Sequence, residues 1–225
     1  MRPLHRFLMP ALFCSCTTAV QVRENPAANG AALSRIEHSE GRKQGEAVIF
    51  HTNGREAKRG AYHRDLKEGT WHEWAPDGQP TALLNYHHGR LHGHCRWMAP
   101  NGQVLSDERF VDGLLDGRVR RYFPDGRMRQ ELTYRKGKAE GAYWRHMEAH
   151  EDTNAGPIIT GHYQDGLSHG QWRGFTGDGR MTSEGSFVRG LRVGIWRHWD
   201  RSGRLLREDV FNADGQLVES RHMKE

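Results

Sequence analysis

Apolar and polar residues alternate along this chain in short runs, and each run closes on a glycine-bearing turn. In Gly69-Thr-Trp-His-Glu-Trp-Ala-Pro-Asp-Gly78, Trp71 and Trp74 supply the large apolar contacts of a strand, and Pro76-Asp77-Gly78 supplies its reversal. The stretch recurs. A closing glycine stands at Gly54, Gly78, Gly102 and Gly126, then at Gly179 and Gly203. An opening glycine stands at Gly45, Gly69, Gly93, Gly117 and Gly141, each 24 residues after the last, then at Gly170 and Gly194. Two ladders with one period predict tandem units that bury their apolar side by stacking on one another. Asp-Gly and Asn-Gly favour the positive φ of tight hairpin turns, so each unit is predicted to be a β-hairpin and the fold class all-β.

The columns of the array show which positions face inward. Two residues past the opening glycine lie Ala47, Trp71, Cys95, Val119, Tyr143, Trp172 and Trp196. Five past it lie Phe50, Trp74, Met98, Tyr122, His146, Phe175 and Trp199. An offset of three places these stripes on opposite faces of a regular strand, whereas a bulge near the turn would bring the second round to the first. Both arrangements fit the spacing. The aromatic residues in these columns are expected to pack one unit on the next.

Composition agrees with thin β structure. Apolar residues are 36% of the 225, which is too little for a thick core, while 27 glycines and 21 aromatics (7 Trp, 6 Tyr, 8 Phe) suit turn-rich strands. The net charge of +5 admits acidic proteins, anionic lipid or nucleic acid as partners. Cys14 and Cys16 precede the array, which leaves Cys95 alone within it and excludes a disulfide there. No apolar run reaches the length of a membrane-spanning helix.

Residues 1–20 read as a leader, with Arg2 and Arg6 before the apolar run Phe7 to Phe13. Phe13-Cys14-Ser15-Cys16 resembles the lipobox of bacterial lipoproteins, which implies lipid on Cys16 and a place at the cell envelope; the alternative is a disordered cytoplasmic N-terminus. Residues 21–35 are aperiodic and read as a flexible tether, 36–217 as the array, and 218–225 as a tail.

The unit Tyr-x-x-Gly-x-x-x-Gly-x-Trp-x-x-Trp-x-x-Asp-Gly resembles the MORN-variant repeat of bacterial proteins. Seven units match, and an eighth, from Phe211 with Asp214-Gly215, is partial. The resemblance implies successive antiparallel hairpins in an elongated, twisted sheet. It also implies a non-catalytic scaffold for a protein partner, as in relatives that are antitoxins or immunity proteins paired with toxins, or else a membrane-surface module.

Several positions are candidates for that role. Three past the opening glycine stand His72, Arg96, Arg120, Arg173 and Arg197, interrupted by Trp144. Hairpins in register would align them into a basic ridge able to grip an acidic protein or anionic lipid, with nucleic acid the least favoured partner. Between Gly141 and Gly170 the spacing is 29, so five residues are inserted. They enlarge one hairpin tip and make it acidic through Glu148, Glu151 and Asp152, which adds a second candidate contact.

Catalytic and cofactor chemistry are not indicated. The histidines of His87-His88-Gly-Arg-Leu-His92-Gly-His94-Cys95 lack any familiar Cys/His zinc spacing, and His87, His88 and His92 fill variable positions, so no metal site is expected. Asp77, Asp125 and Asp178 belong to turns. No nucleophile elbow, phosphate cradle or His-Glu-x-x-His motif is present.

Overall fold

A computed structural model of the chain describes residues 21–26, 32–148 and 156–223. Among these residues there is no helix, and 19 antiparallel strands form one open sheet. The first strands are β1 (Gln21–Pro26), β2 (Ala32–Ser39), β3 (Arg42–Phe50), β4 (Glu56–His63), β5 (Leu66–Trp74) and β6 (Pro80–His87). Next come β7 (Arg90–Leu91), β8 (Gly93–Met98), β9 (Val104–Val111), β10 (Leu114–Leu115), β11 (Gly117–Tyr122), β12 (Met128–Arg135) and β13 (Lys138–His146). The series closes with β14 (Ile158–Gln164), β15 (Leu167–Phe175), β16 (Met181–Val188), β17 (Leu191–Trp199), β18 (Leu205–Phe211) and β19 (Leu217–His222). Each strand pairs with its neighbours in sequence, so the sheet is a meander; β7 with β8, and β10 with β11, are halves of one interrupted strand.

The strands alternate between two kinds of turn. Along one edge run two-residue turns whose residues are both left-handed, as at His88 (φ 49°) and Gly89 (φ 76°). This is the type I′ geometry whose twist matches that of the strands. The other edge carries three-residue loops such as Pro76-Asp77-Gly78. There the Gly78 N–H donates to the Ala75 carbonyl and the Ala75 N–H to the Gln79 carbonyl, both at 2.8 Å. Asp77 Oδ1 accepts the Gln79 N–H at 2.9 Å, and of the Asp-Gly pair only Gly78 is left-handed (φ 94°). The paired positive φ values expected of the Asp-Gly turns therefore belong to the opposite edge, because a type I turn asks for a left-handed residue only at its close.

The opening glycine has a separate task. Between the pairs Arg59↔His72 and Ala61↔Glu68, three residues of β5, Gly69 to Trp71, face one residue of β4, Gly60. Gly69 takes φ 68° to make this bulge. The bulge lowers the Trp71 indole onto Gly60, where an added Cβ would overlap the ring. The indole N–H donates to the Ala61 carbonyl at 3.1 Å, and the edges of Tyr62 and Tyr86 close in at 5.1 and 6.4 Å. Trp71 is fully buried as a result. Trp172 on Gly161 and Trp196 on Gly185 repeat the arrangement.

Stacking of units is fixed at the type I′ edge. From Arg64-Asp65 onward the second residue of each turn donates its N–H to a carbonyl one unit back, as from Gly89 to Lys67 (2.9 Å) and from Gly113 to Leu91 (2.8 Å). The first residue donates to a side chain: Arg64 N–H to Gln44 Oε1 (3.1 Å), His88 N–H to Glu68 Oε2 (2.9 Å), Lys136 N–H to Asp116 Oδ2 (3.0 Å). These turns thus lie clamped on their predecessors, and their backbone donors find partners although they are exposed.

The array is longer than its sequence pattern. Part of the stretch read as a tether, 21–35, is strand: β1 pairs with β2 from Gln21↔His38 onward, and β2 itself begins at Ala32. At the other end the expected tail, 218–225, contributes most of β19, which pairs with β18. Neither strand carries the glycine-aromatic signature, because an end strand needs only a ladder on one side.

Candidate functional site

The two stripes lie on opposite faces. The His72 ring stacks on Trp74 at 5.7 Å and 14°, which places the second stripe on the face of the His72 column and away from buried Trp71. All members of the second stripe, from Phe50 to Trp199, are half-buried. This face therefore presents a band of aromatic and sulfur side chains that no other layer covers among the described residues.

Beside that band, the column read as a basic ridge is only half of a row. Across adjacent strands the backbone register runs Arg96, Asp107, Arg120, Glu131, Trp144, Thr160, Arg173, Glu184, Arg197, Glu208, Arg221. Arg120 donates to Glu131 at 2.7 Å and Arg197 to Glu208 at 2.9 Å. Looser contacts join Arg197 to Glu184 (3.4 Å), Arg96 to Asp107 (3.4 Å) and Arg173 to Glu184 (3.8 Å). Hydrogen bonds to their carboxylate partners hold the Arg120 and Arg197 guanidiniums above their ordinary pKa. Five arginines against four carboxylates leave the row one charge from neutral. The ridge is an alternating charge ladder, since like charges on adjacent strands would repel and opposite charges pair.

The ladder is interrupted twice. One gap is Trp144 with Thr160, next to the enlarged hairpin; the Trp144 ring lies 6.1 Å from His146. Glu148 is exposed at the base of that hairpin, whose strands are held by the Met147 N–H to the Pro157 carbonyl at 2.8 Å. Glu151 and Asp152 lie outside the described residues. The other gap is Leu83, standing between His72 and Arg96 in the same register. There the face opens into a groove of about 210 Å³ whose lining includes His72, Trp74, Leu83, Arg96, Met98 and Val104. Its floor is apolar and its rim polar, with Glu73 beside His72 and Arg96, which suits a side chain or segment that is greasy with a polar end.

The neighbours Arg121 and His198 belong to the opposite face. Arg121 meets Glu108 at 3.2 Å, and His198 lies 3.3 Å from the buried carboxylate of Asp209. Ser220 donates to Asp209 at 2.7 Å, and this hydrogen bond, with Arg207 beside it, keeps the carboxyl below its ordinary pKa. Cys95 is fully buried, and burial pushes its thiol pKa up, consistent with a packing role rather than a reactive one. Cys16 lies outside the described residues.

Sequence reasoning missed two features of this geometry. Each carboxylate of the ladder stands eleven residues after its arginine, as in Arg96 and Asp107, Arg120 and Glu131, Arg173 and Glu184, Arg197 and Glu208. The stacked type I′ turns also bring Glu68 to His87 and His88, 19 and 20 residues away. Among known families, the MORN repeat variant matches at residues 115–136, which span β11 and β12 with the turn between them. No curated protein matches the chain. MORN repeats are generally non-enzymatic modules, often for membrane or protein interaction, and one stretch of this hairpin array, 115–136, matches such a repeat.

Proposed function

We propose that the chain is a non-catalytic hairpin array that binds a protein partner across the face bearing the charge ladder. The carrying observation is the half-buried aromatic band beside alternating Arg–carboxylate pairs, broken by a groove at Leu83. Tryptophan, tyrosine and arginine are the residue types that dominate protein interfaces, and alternating charge sets register with a partner that alternates in turn. A uniformly anionic membrane surface has no such pattern to match, so the ladder favours protein over lipid. The MORN resemblance extends the proposal to a toxin that this chain neutralises, and the lipobox resemblance at Phe13-Cys14-Ser15-Cys16 extends it to lipid on Cys16 that holds the complex at the cell envelope.

The experiment is an affinity capture with the full chain and an Arg120→Ala/Trp144→Ala/Arg173→Ala variant, against a control changed at the turn edge, Arg64→Ala/Arg189→Ala. The expected result is a partner captured by wild type and control and lost from the face variant, its toxicity suppressed by co-expression. Equal capture by all three removes this face. Binding to anionic vesicles that vanishes at moderate salt, with no protein partner, supports the membrane reading instead. Incorporation of labelled palmitate that is lost in Cys16→Ser tests the anchor.

A further inference from the structure

We propose that Glu68, His87 and His88 form a binding site for a divalent transition metal, zinc being the probe. The site is independent of the partner-binding face, since it lies at the type I′ edge where the β6–β7 turn docks on β5. Glu68 Oε1 is 2.9 Å from His87 Nδ1, and Glu68 Oε2 is 3.9 Å from His88 Nδ1. One ligand atom from each of the three residues falls within 4.8 Å of the others. Tetrahedral zinc with bonds of about 2.0–2.1 Å needs its ligand atoms about 3.3 Å apart, which small rotations of the two exposed imidazoles against the half-buried Glu68 supply.

The turn does the positioning. His88 is held left-handed at φ 49°, and its backbone N–H donates to Glu68 Oε2 at 2.9 Å, so the carboxylate is fixed to the turn that carries both rings. The His87 and His88 rings are already 4.0 Å apart, and the His92 ring lies 5.6 Å from that of His87. Two imidazoles and a carboxylate are a recognised donor set for zinc, with a fourth position left for water or another ligand. A backbone hydrogen bond from His88, then a side-chain hydrogen bond with His87, keep the Glu68 carboxyl below its ordinary pKa. The corresponding clamps elsewhere hold no such set: Gln44 meets Arg64, and Asp116 meets Lys136.

Gln44 also supplies the cleanest test. In that unit a glutamine receives the turn N–H that Glu68 receives here, so Glu68→Gln keeps the clamp and removes only the anionic ligand. Zinc ions are titrated calorimetrically into the full chain, alongside Glu68→Gln, His87→Gln and, as a control outside the cluster, His222→Gln. The expected result is one saturable site in the wild type and in His222→Gln, weakened roughly tenfold or more in the other two variants, with metal-free melting temperatures unchanged. No saturable zinc binding by the wild type overturns the proposal. So does an isotherm that Glu68→Gln and His87→Gln leave unaltered.

Discussion

The buried face packs its units in two ways. At Trp71, Trp172 and Trp196 an indole is seated on a glycine of the preceding strand, Gly60, Gly161 or Gly185. In the unit that follows Trp71, the same two positions hold Cys95 and Leu84, so the bulk has moved to the other strand. Cys95 even keeps the polar contact, its thiol lying 3.8 Å from the Asn85 carbonyl where Trp71 donates to that of Ala61. Between these two kinds of unit the combined volume at the bulge is kept, as a close-packed layer requires, rather than the residue at either position. Variation along this column therefore reports packing and carries little information about a partner. The largest effect is expected where the indole is simply removed. Trp196→Ala empties the space over Gly185 and should cost about 3–5 kcal/mol, read as a lower denaturant midpoint. A loss under about 1 kcal/mol would mean that the glycine-seated indole is not the structural unit.

The next test breaks the comparison directly. Gly185→Leu alone drives a side chain into the Trp196 ring and should cost about 1–3 kcal/mol or more. Trp196→Cys alone leaves a cavity. Together they recreate the Leu84 and Cys95 pair, and the double variant should be more stable than the sum of the single losses predicts. A coupling energy within about 0.5 kcal/mol of zero would show that the two solutions are not interchangeable.

This pairing also marks how far the sequence could be read. The two glycine ladders were legible because every hairpin needs both a bulge and a loop-closing left-handed residue, as at Gly69 and Gly78. Gly60, Gly161 and Gly185 went unread because they are needed only where tryptophan follows eleven residues later, and Leu84, Glu108 and Leu132 fill the same place elsewhere. The basic half of the charge ladder was visible as a column within the outgoing strands. Its acidic half sits on the return strands, and only the register of the meander brings Glu131 beside Arg120. Glu68 was hidden for a related reason: its approach to His87 depends on turns stacking one unit apart. Periodicity thus reveals what each hairpin repeats, whereas contacts between hairpins emerge only when the register is known.

The smallest effect concerns what covers the two kinds of core. Lys67 lies with Nζ 4.3 Å from the Trp71 ring centre and 4.6 Å from that of Tyr86, and Arg192 lies 4.7 Å from that of Trp196. Two residues before the opening glycine in the Cys95 and Val119 units, the same position holds Leu91 and Leu115. Cations therefore cover two of the three glycine-seated indoles, whose faces attract them, while Trp172 has Ser168 at that position and leucines cover Cys95 and Val119. Lys67→Met keeps an apolar stem over Trp71 and removes the charge, so it isolates the cation–π contribution from simple coverage. The expected loss is about 0.5–1 kcal/mol in chemical denaturation. The reciprocal change, Leu91→Lys, places a charge over Cys95 and should gain nothing. If Lys67→Met is neutral, or Leu91→Lys stabilises, the cover is indifferent to what lies beneath it and the two cores differ only in volume.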